Sequence, residues 1–270
     1  MDFRIENYPI IFDEVEYLHP QSAWLMHAPL AFLLVEVLKP KIIVELGTHV
    51  GYSYNALCQA VKKLKLNTKC YAVDTWVGDK HSSFYDESVY IKLKKYQDEN
   101  YKDFSTLLKM TFDEAVNKFD NGSIDLLHID GLHTYEAVKH DFETWLSKMS
   151  NRGVVLFHDT EVREADFGVY RFFDDITSNY KKYFNFKHGH GLGVVLVGSE
   201  YSSELINLVE KFKNEVFYEK LFYSLGSVIS LKVENLELNL KVENLELKKE
   251  NSHFFIRVLR KILKILKIIK

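Results

Sequence analysis

The stretch from Lys41 to Gly51, Lys-Ile-Ile-Val-Glu-Leu-Gly-Thr-His-Val-Gly, constrains this chain more than any other. Ile42, Ile43, Val44 and Leu46 suit a buried strand, glycines follow at 47 and 51, and a helical pattern runs from Ser53 to Leu64. Strand, glycine turn and helix form the opening unit of a nucleotide-type α/β fold. The spacing Glu45-x-Gly47-x-x-x-Gly51 departs from the Gly-x-Gly-x-x-Gly of dinucleotide enzymes. Glycines here let the backbone approach a ligand with no Cβ in the way. An acid ahead of them suits a ligand with a cationic or hydroxyl-bearing part better than a pyrophosphate.

The rest of the chain extends this unit. Residues 1–40 read as a helical lead-in that Pro40 stops, and 41–200 as the α/β core. Strand patterns fall at 41–46, 69–74, 124–130, 153–158, 183–187 and 192–198, with helical segments near 53–65, 85–97, 111–119, 134–149 and 168–180. Such alternation implies a mainly parallel sheet covered on both faces. Gly191-Leu-Gly193 has hairpin chemistry, so the last strand is expected to run antiparallel. Residues 201–226 read as helix.

Composition narrows the class. With 270 residues, 47% hydrophobic and 14% aromatic, the chain has room for one sizeable core plus an appendage. Only Cys58 and Cys70 are present, which favours buried thiols and a reducing, cytoplasmic setting. The first residues lack the basic and apolar regions of a secretory signal, and no stretch is apolar enough to span a bilayer. The net charge of −3 combines six basic residues within 251–270 with −9 over 1–250 (−3 − 6 = −9). An acidic body argues against nucleic acid as a partner.

Two C-terminal patterns stand apart. From 217 to 245, Phe217, Leu221, Ser224, Val228, Leu231, Asn235, Leu238, Val242 and Leu245 recur at steps of four and three. Lys-Val-Glu-Asn-Leu-Glu-Leu occurs at 232–238 and again at 241–247. A short coiled coil within 201–250, supporting a homo-oligomer, competes evenly with a lone amphipathic helix folded onto the body. In 254–270, Arg257, Arg260, Lys261, Lys264 and Lys267 fall on one arc, opposite Phe255, Val258, Leu259, Ile262, Leu266 and Ile269. This 251–270 segment reads as a helix lying on an anionic membrane surface, against a partner-binding helix or a linker to a further domain.

Ionisable residues cluster at the predicted strand ends. Asp74 ends the second strand, where it suits ribose hydroxyls or a cap for the next turn, and Trp76 is a candidate pocket wall. Asp130, His133, His158 and Asp159 follow two later strands, which places them on one rim as candidates for a cation site. His128, within its strand, reads as a satisfied core histidine.

Taken in order, Glu45-x-Gly47-x-x-x-Gly51, Asp74, His-Ile-Asp-Gly-x-His-x-Tyr-Glu at 128–136 and His158-Asp159 resemble the class I S-adenosylmethionine-dependent methyltransferases. The chain is most similar to the branch of macrocin-type sugar O-methyltransferases and glycan-modifying relatives, over roughly residues 20–198, including Ser22-Ala-Trp24 and His27. The resemblance implies a Rossmann-like seven-stranded sheet with a reversed last strand. It implies S-adenosylmethionine contacts from Glu45, Gly47, Thr48, Gly51, Ser53, Asp74, Trp76, Thr111, Phe112 and Asp130. It further implies a base at His133 and a divalent cation, Mg²⁺, at Asp130 and the pair His158 and Asp159. Relatives carry an acid where this chain has His158, so the metal set departs from their pattern. His190 is a candidate for the acceptor pocket.

The expected activity is O-methylation of a sugar hydroxyl on a glycan or glycoside, at the inner face of the membrane if the tail anchors there. Two readings compete. One is a metal-dependent oxidoreductase or hydroxylase using His133, His158 and Asp159, and the other is a non-catalytic scaffold assembled through the C-terminal helices.

Overall fold

The computed structural model describes residues 2–20, 22–79 and 83–265, with side chains through Lys248 except those of Asp79 and Ser83. Two compact units result, Met1–Ile229 and Ser230–Lys270.

The lead-in is less helical than its sequence suggests. Three 3₁₀ turns (Ile5–Asn7, Pro9–Phe12, Leu25–His27) precede α1, Ala28–Leu38. Ten of the eleven α1 residues are buried, as befits a helix apolar around most of its circumference. Lys39 ends it in the left-handed conformation ahead of Pro40, which cannot continue a helix.

The core then alternates. Strand β1 is Ile42–Leu46, α2 is Tyr52–Lys63 and β2 is Lys69–Asp74. The two-residue strands β3 (Gly78–Asp79) and β4 (Ser83–Phe84) pair with each other, and α3 spans Ser88–Asn100. Next come β5 (Ser105–Lys109), α4 (Phe112–Ala115), β6 (Ile124–Ile129), α5 (Tyr135–Leu146) and β7 (Met149–His158). Helix α6 (Val169–Thr177) precedes β8 (Tyr183–Phe186) and β9 (Leu192–Leu196).

Seven strands form one sheet in the order β5-β2-β1-β6-β7-β9-β8. All pairings are parallel except those of β9, which runs antiparallel to β7 and β8. The expected sheet with a reversed last strand is therefore present. Both faces are covered, and every residue of β6 and β9 is buried. Phe142, Trp145, Phe157 and Phe172 pack on one face, each such burial being worth about 1.5–3 kcal/mol.

The chain order reverses beside β1, so the carboxyl ends of β1, β2, β6 and β7 open onto one crevice, where ligands of open α/β sheets bind. Because β9 is reversed, its first residues reach the same rim: Leu192 pairs with His158. The expected helix over 201–226 is broken into α7 (Ser203–Asn214) and α8 (Val216–Ile265), because Glu215 adopts an extended conformation. In the second unit every residue from Ser230 to Ile265 is helical. The side chains of the proposed membrane face at 254–270 lie outside the described residues. No helix among the described residues is long and apolar enough to cross a membrane.

Candidate active site

Glycine 47 joins the two halves of the site. Its φ of 85° is left-handed, and a Cβ there would lie 2.1 Å from the Asp130 carbonyl oxygen, so only glycine lets the β1 loop close on the β6 end. Gly51, at φ 82°, caps α2, where a Cβ would meet Leu93 at 2.4 Å.

Asp74 fixes the loop between them. Its Oδ2 accepts from the backbone N–H of Thr48 (2.9 Å) and His49 (2.8 Å), and its Oδ1 accepts from that of Trp76 (2.6 Å). The carboxylate thus performs the capping role as well as lining the crevice. One of its roughly four acceptor positions is left for a ligand.

Two cavities meet at this loop. The smaller, about 240 Å³, is walled by Asp74, Thr111, Phe112, Tyr85 and Leu132. The larger, about 740 Å³, is walled by Thr48, Ser53, His158, Asp159, Phe167 and His190. Gly47, His49, Asp130 and His133 line both. Thr48 Oγ1 is buried on the larger cavity without a hydrogen-bond partner among the described residues, a polar atom that a ligand can satisfy.

Two expected contacts turn elsewhere. Glu45 is fully buried, its Oε2 2.8 Å from His128 Nδ1, and it lines neither cavity. Successive strand residues face opposite sides, so Glu45 points into the core beneath the loop. His128 is a core histidine, as expected, although among the described residues only its Nδ1 has a hydrogen-bond partner. Trp76 is also hidden. Its indole donates to the His49 carbonyl and packs on Tyr90, bracing the loop from behind.

The rim cluster forms as the sequence indicates. Asp130 Oδ1 and Asp159 Oδ2 both contact two imidazoles. His133 Nε2 lies 3.3 and 3.0 Å from them, and His158 Nδ1 lies 3.2 and 3.5 Å away. Positive and negative groups therefore alternate. Burial alone would lower the His133 pKa, but its bonds and proximity to both carboxylates push it up to about 9. The same carboxylates overcome burial at His158 and raise it well above the usual value. Burial opposes ionisation of the carboxyls, yet His158 and His133 hold both below the usual carboxylate range. His190 Nδ1 lies 3.4 Å from Asp159 Oδ1 at the mouth of the larger cavity.

Asp130, His133 and Asp159 each offer a ligand atom within 4.8 Å of one another. This convergent set contains His133 where His158 was expected. Two carboxylates and an imidazole fit a transition-metal cation such as Mn²⁺, which accepts nitrogen beside oxygen, better than Mg²⁺, which prefers oxygen throughout.

Other residues escaped the sequence reading. His49 and Tyr85 stack at 4.7 Å beside the smaller cavity, and Phe167 lies parallel to the His133 ring at 4.9 Å and 4°. His49, inside the glycine loop, had a positional signal; Tyr85 and Phe167 had none. His49, Trp76, Asp159 and His190 all adopt positive φ, concentrating backbone strain at the site.

Residues 44–160 match a family model described as a methyltransferase domain. The uncharacterized protein y4gI of Sinorhizobium fredii (strain NBRC 101917 / NGR234) is 45% identical over 207 residues, covering 77% of this chain and 22% of that protein. The chain thus spans about a fifth of that relative's length. A provisional caffeoyl-CoA O-methyltransferase structure from Staphylococcus aureus aligns at 14% identity over 71% of this chain and 90% of its own, with a TM-score of 0.50. The cofactor-bound Rv0187 from MTB aligns at 12% identity over 73% and 90%, also with a TM-score of 0.50. At such identities these structures speak to the fold. Fold and domain match together give a Rossmann-like architecture that carries a match to a methyltransferase domain over residues 44–160.

Proposed function

We propose that this chain is a methyltransferase that uses S-adenosylmethionine to methylate a hydroxyl group, and that the hydroxyl belongs to a sugar of a glycan or glycoside. The observation that carries the reading is that the two cavities meet at Asp130 and His133. The smaller, beside Asp74, Thr111 and Phe112, suits the cofactor, and the larger suits the acceptor. Bound S-adenosylmethionine supplies an electrophilic methyl group that needs an aligned nucleophile more than it needs activation.

The chain's own residues then have two tasks. The first is alignment: the loop clamped by Asp74 and the walls shared by both cavities hold the partners in line, a large part of any such rate enhancement. The second is proton removal. A sugar hydroxyl ionises far above neutral pH, so a base within reach is worth roughly 10²–10⁴-fold. His133 occupies that position, gripped by Asp130 and Asp159. Since its pKa is about 9, its capacity as a base grows as the pH rises toward that value. The polar walls of the larger cavity, among them Ser22, Ser53, Glu161 and Glu164, support a hydroxyl-rich acceptor, and Phe167 offers an apolar edge.

A divalent cation is a second reading, favoured by the convergence of Asp130, His133 and Asp159. Held there, it would stabilise the developing alkoxide.

Isothermal titration calorimetry of the full chain with S-adenosylmethionine tests the cofactor assignment, with saturable binding expected. Transfer of labelled methyl to a panel of glycosides, with catechols and carboxylic acids as competitors, tests the acceptor. Absence of binding removes the whole reading, and transfer confined to catechols or acids removes the sugar.

A further inference from the structure

We propose that the second unit is a dimerisation helix, which pairs in parallel and in register with the same helix of a second copy of this chain. From Ser230 to Ile265 the unit is one continuous helix, and a long helix gains little stability in water from a face left unpacked. One stripe of α8, starting at Val228 just ahead of this unit, is apolar and open. Val228, Leu231, Leu238, Val242 and Leu245 are 66%, 56%, 57%, 54% and 65% exposed. Their spacing fixes a heptad in which Val228, Asn235 and Val242 take the a position and Leu231, Leu238 and Leu245 take d. Valine at a with leucine at d favours two parallel strands, and a single asparagine at a fixes register and oligomer state.

Charge and polarity select the same arrangement. In a parallel pair each g residue faces the e residue five positions further along the partner. Lys241 then meets a partner glutamate at position 246, and Glu234 meets a partner asparagine at position 239. Asn235 meets its own equivalent, so each side-chain amide finds a partner. Antiparallel pairing would set Asn235 against a leucine and bury the amide unpaired.

The nine-residue repeat offers a rival seam. Nine residues at 100° each turn the helix by half a revolution, so the second copy repeats the apolar pattern on the opposite side. Val233, Leu236, Leu240 and Leu247 lie there, but Val233 is already buried, Glu243 interrupts the row and no asparagine keys it.

Sedimentation equilibrium of the full chain from 1 to 100 μM tests the proposal. A dimer is expected, and Leu231→Glu with Leu238→Glu is expected to give a monomer with S-adenosylmethionine affinity unchanged. An Asn235→Cys chain should form an interchain disulfide in nearly full yield under mild oxidation, because the a positions face one another only in a parallel, in-register pair. A wild-type monomer throughout this range, a trimer or tetramer, a dimer that survives both glutamates, or absence of the cross-link would each overturn it. Circular dichroism of the glutamate variant separates lost pairing from lost folding: an unchanged main melting transition belongs to pairing. If that transition is lost, the cross-link decides alone.

Discussion

Asp159→Asn isolates one of the two charges that hold the proton on His133. Asp159 Oδ2 and Asp130 Oδ1 lie 3.0 and 3.3 Å from His133 Nε2, and against the effect of burial they raise its pKa from 6.5 to about 9. At 1.36 kcal/mol per pH unit the net displacement amounts to ~3 kcal/mol, and since burial opposes it the two carboxylates together supply more than this. Asparagine keeps the side-chain shape and tolerates the left-handed backbone of Asp159 at φ 61°, so the loop geometry survives. Removing this charge should therefore bring the His133 midpoint down by roughly one pH unit. The assay is an NMR titration of the imidazole ring protons, with His133→Gln to assign the resonance. Stability should follow. A histidine whose folded pKa lies above its unfolded value contributes stabilisation that is complete below about pH 6.5 and lost as the pH rises through about 9. The melting temperature should fall across that window in the native chain and fall less in the variant. A native midpoint near 6.5, or one unmoved by Asp159→Asn, would refute the account of the cluster.

Three further outcomes are expected. Gly47→Ala forces a Cβ against the Asp130 carbonyl at positive φ, costing roughly 1–3 kcal/mol, and should abolish cofactor binding by calorimetry; unimpaired binding would show that the two loops can part freely. Asp74→Ala leaves three backbone N–H groups without their acceptor and should speed hydrogen exchange at residues 48, 49 and 76 while weakening S-adenosylmethionine binding at least tenfold. Mn²⁺ should raise the melting temperature more than equimolar Mg²⁺ does, and Asp130→Ala should remove the difference; equal or absent effects would discard the cation reading.

The sheet was legible because its strands are nearly continuous apolar runs ending in ionisable residues, a pattern few alternatives share. The edge strand Ser105–Lys109 was not, since its residues are half-buried or exposed and Ser-Thr-Leu-Leu-Lys carries little period. Pairing with β2 makes it a strand. The break at Glu215 has no glycine or proline to signal it, and the residue is nonetheless extended. Within the site, residues at strand tips were found because topology alone brings Asp74, Asp130 and Asp159 to one rim. Glu45 and Trp76 were misplaced for the opposite reason. Their direction depends on strand pleat and loop path: Glu45 meets His128 in the core, and Trp76 bonds the His49 carbonyl from behind the loop.

Asp74 has a further consequence. In many nucleotide-binding folds the glycine loop is ordered by its ligand, and part of the interaction energy is consumed in ordering it. Here an internal anion already holds Thr48 and His49, so the loop waits in one shape. Apparent affinity is the intrinsic affinity scaled by the fraction of molecules already competent, and these two bonds favour the competent shape before any ligand arrives. Cofactor capture should then be a single bimolecular step, with an observed rate that rises linearly with ligand concentration and does not saturate at a loop-opening limit.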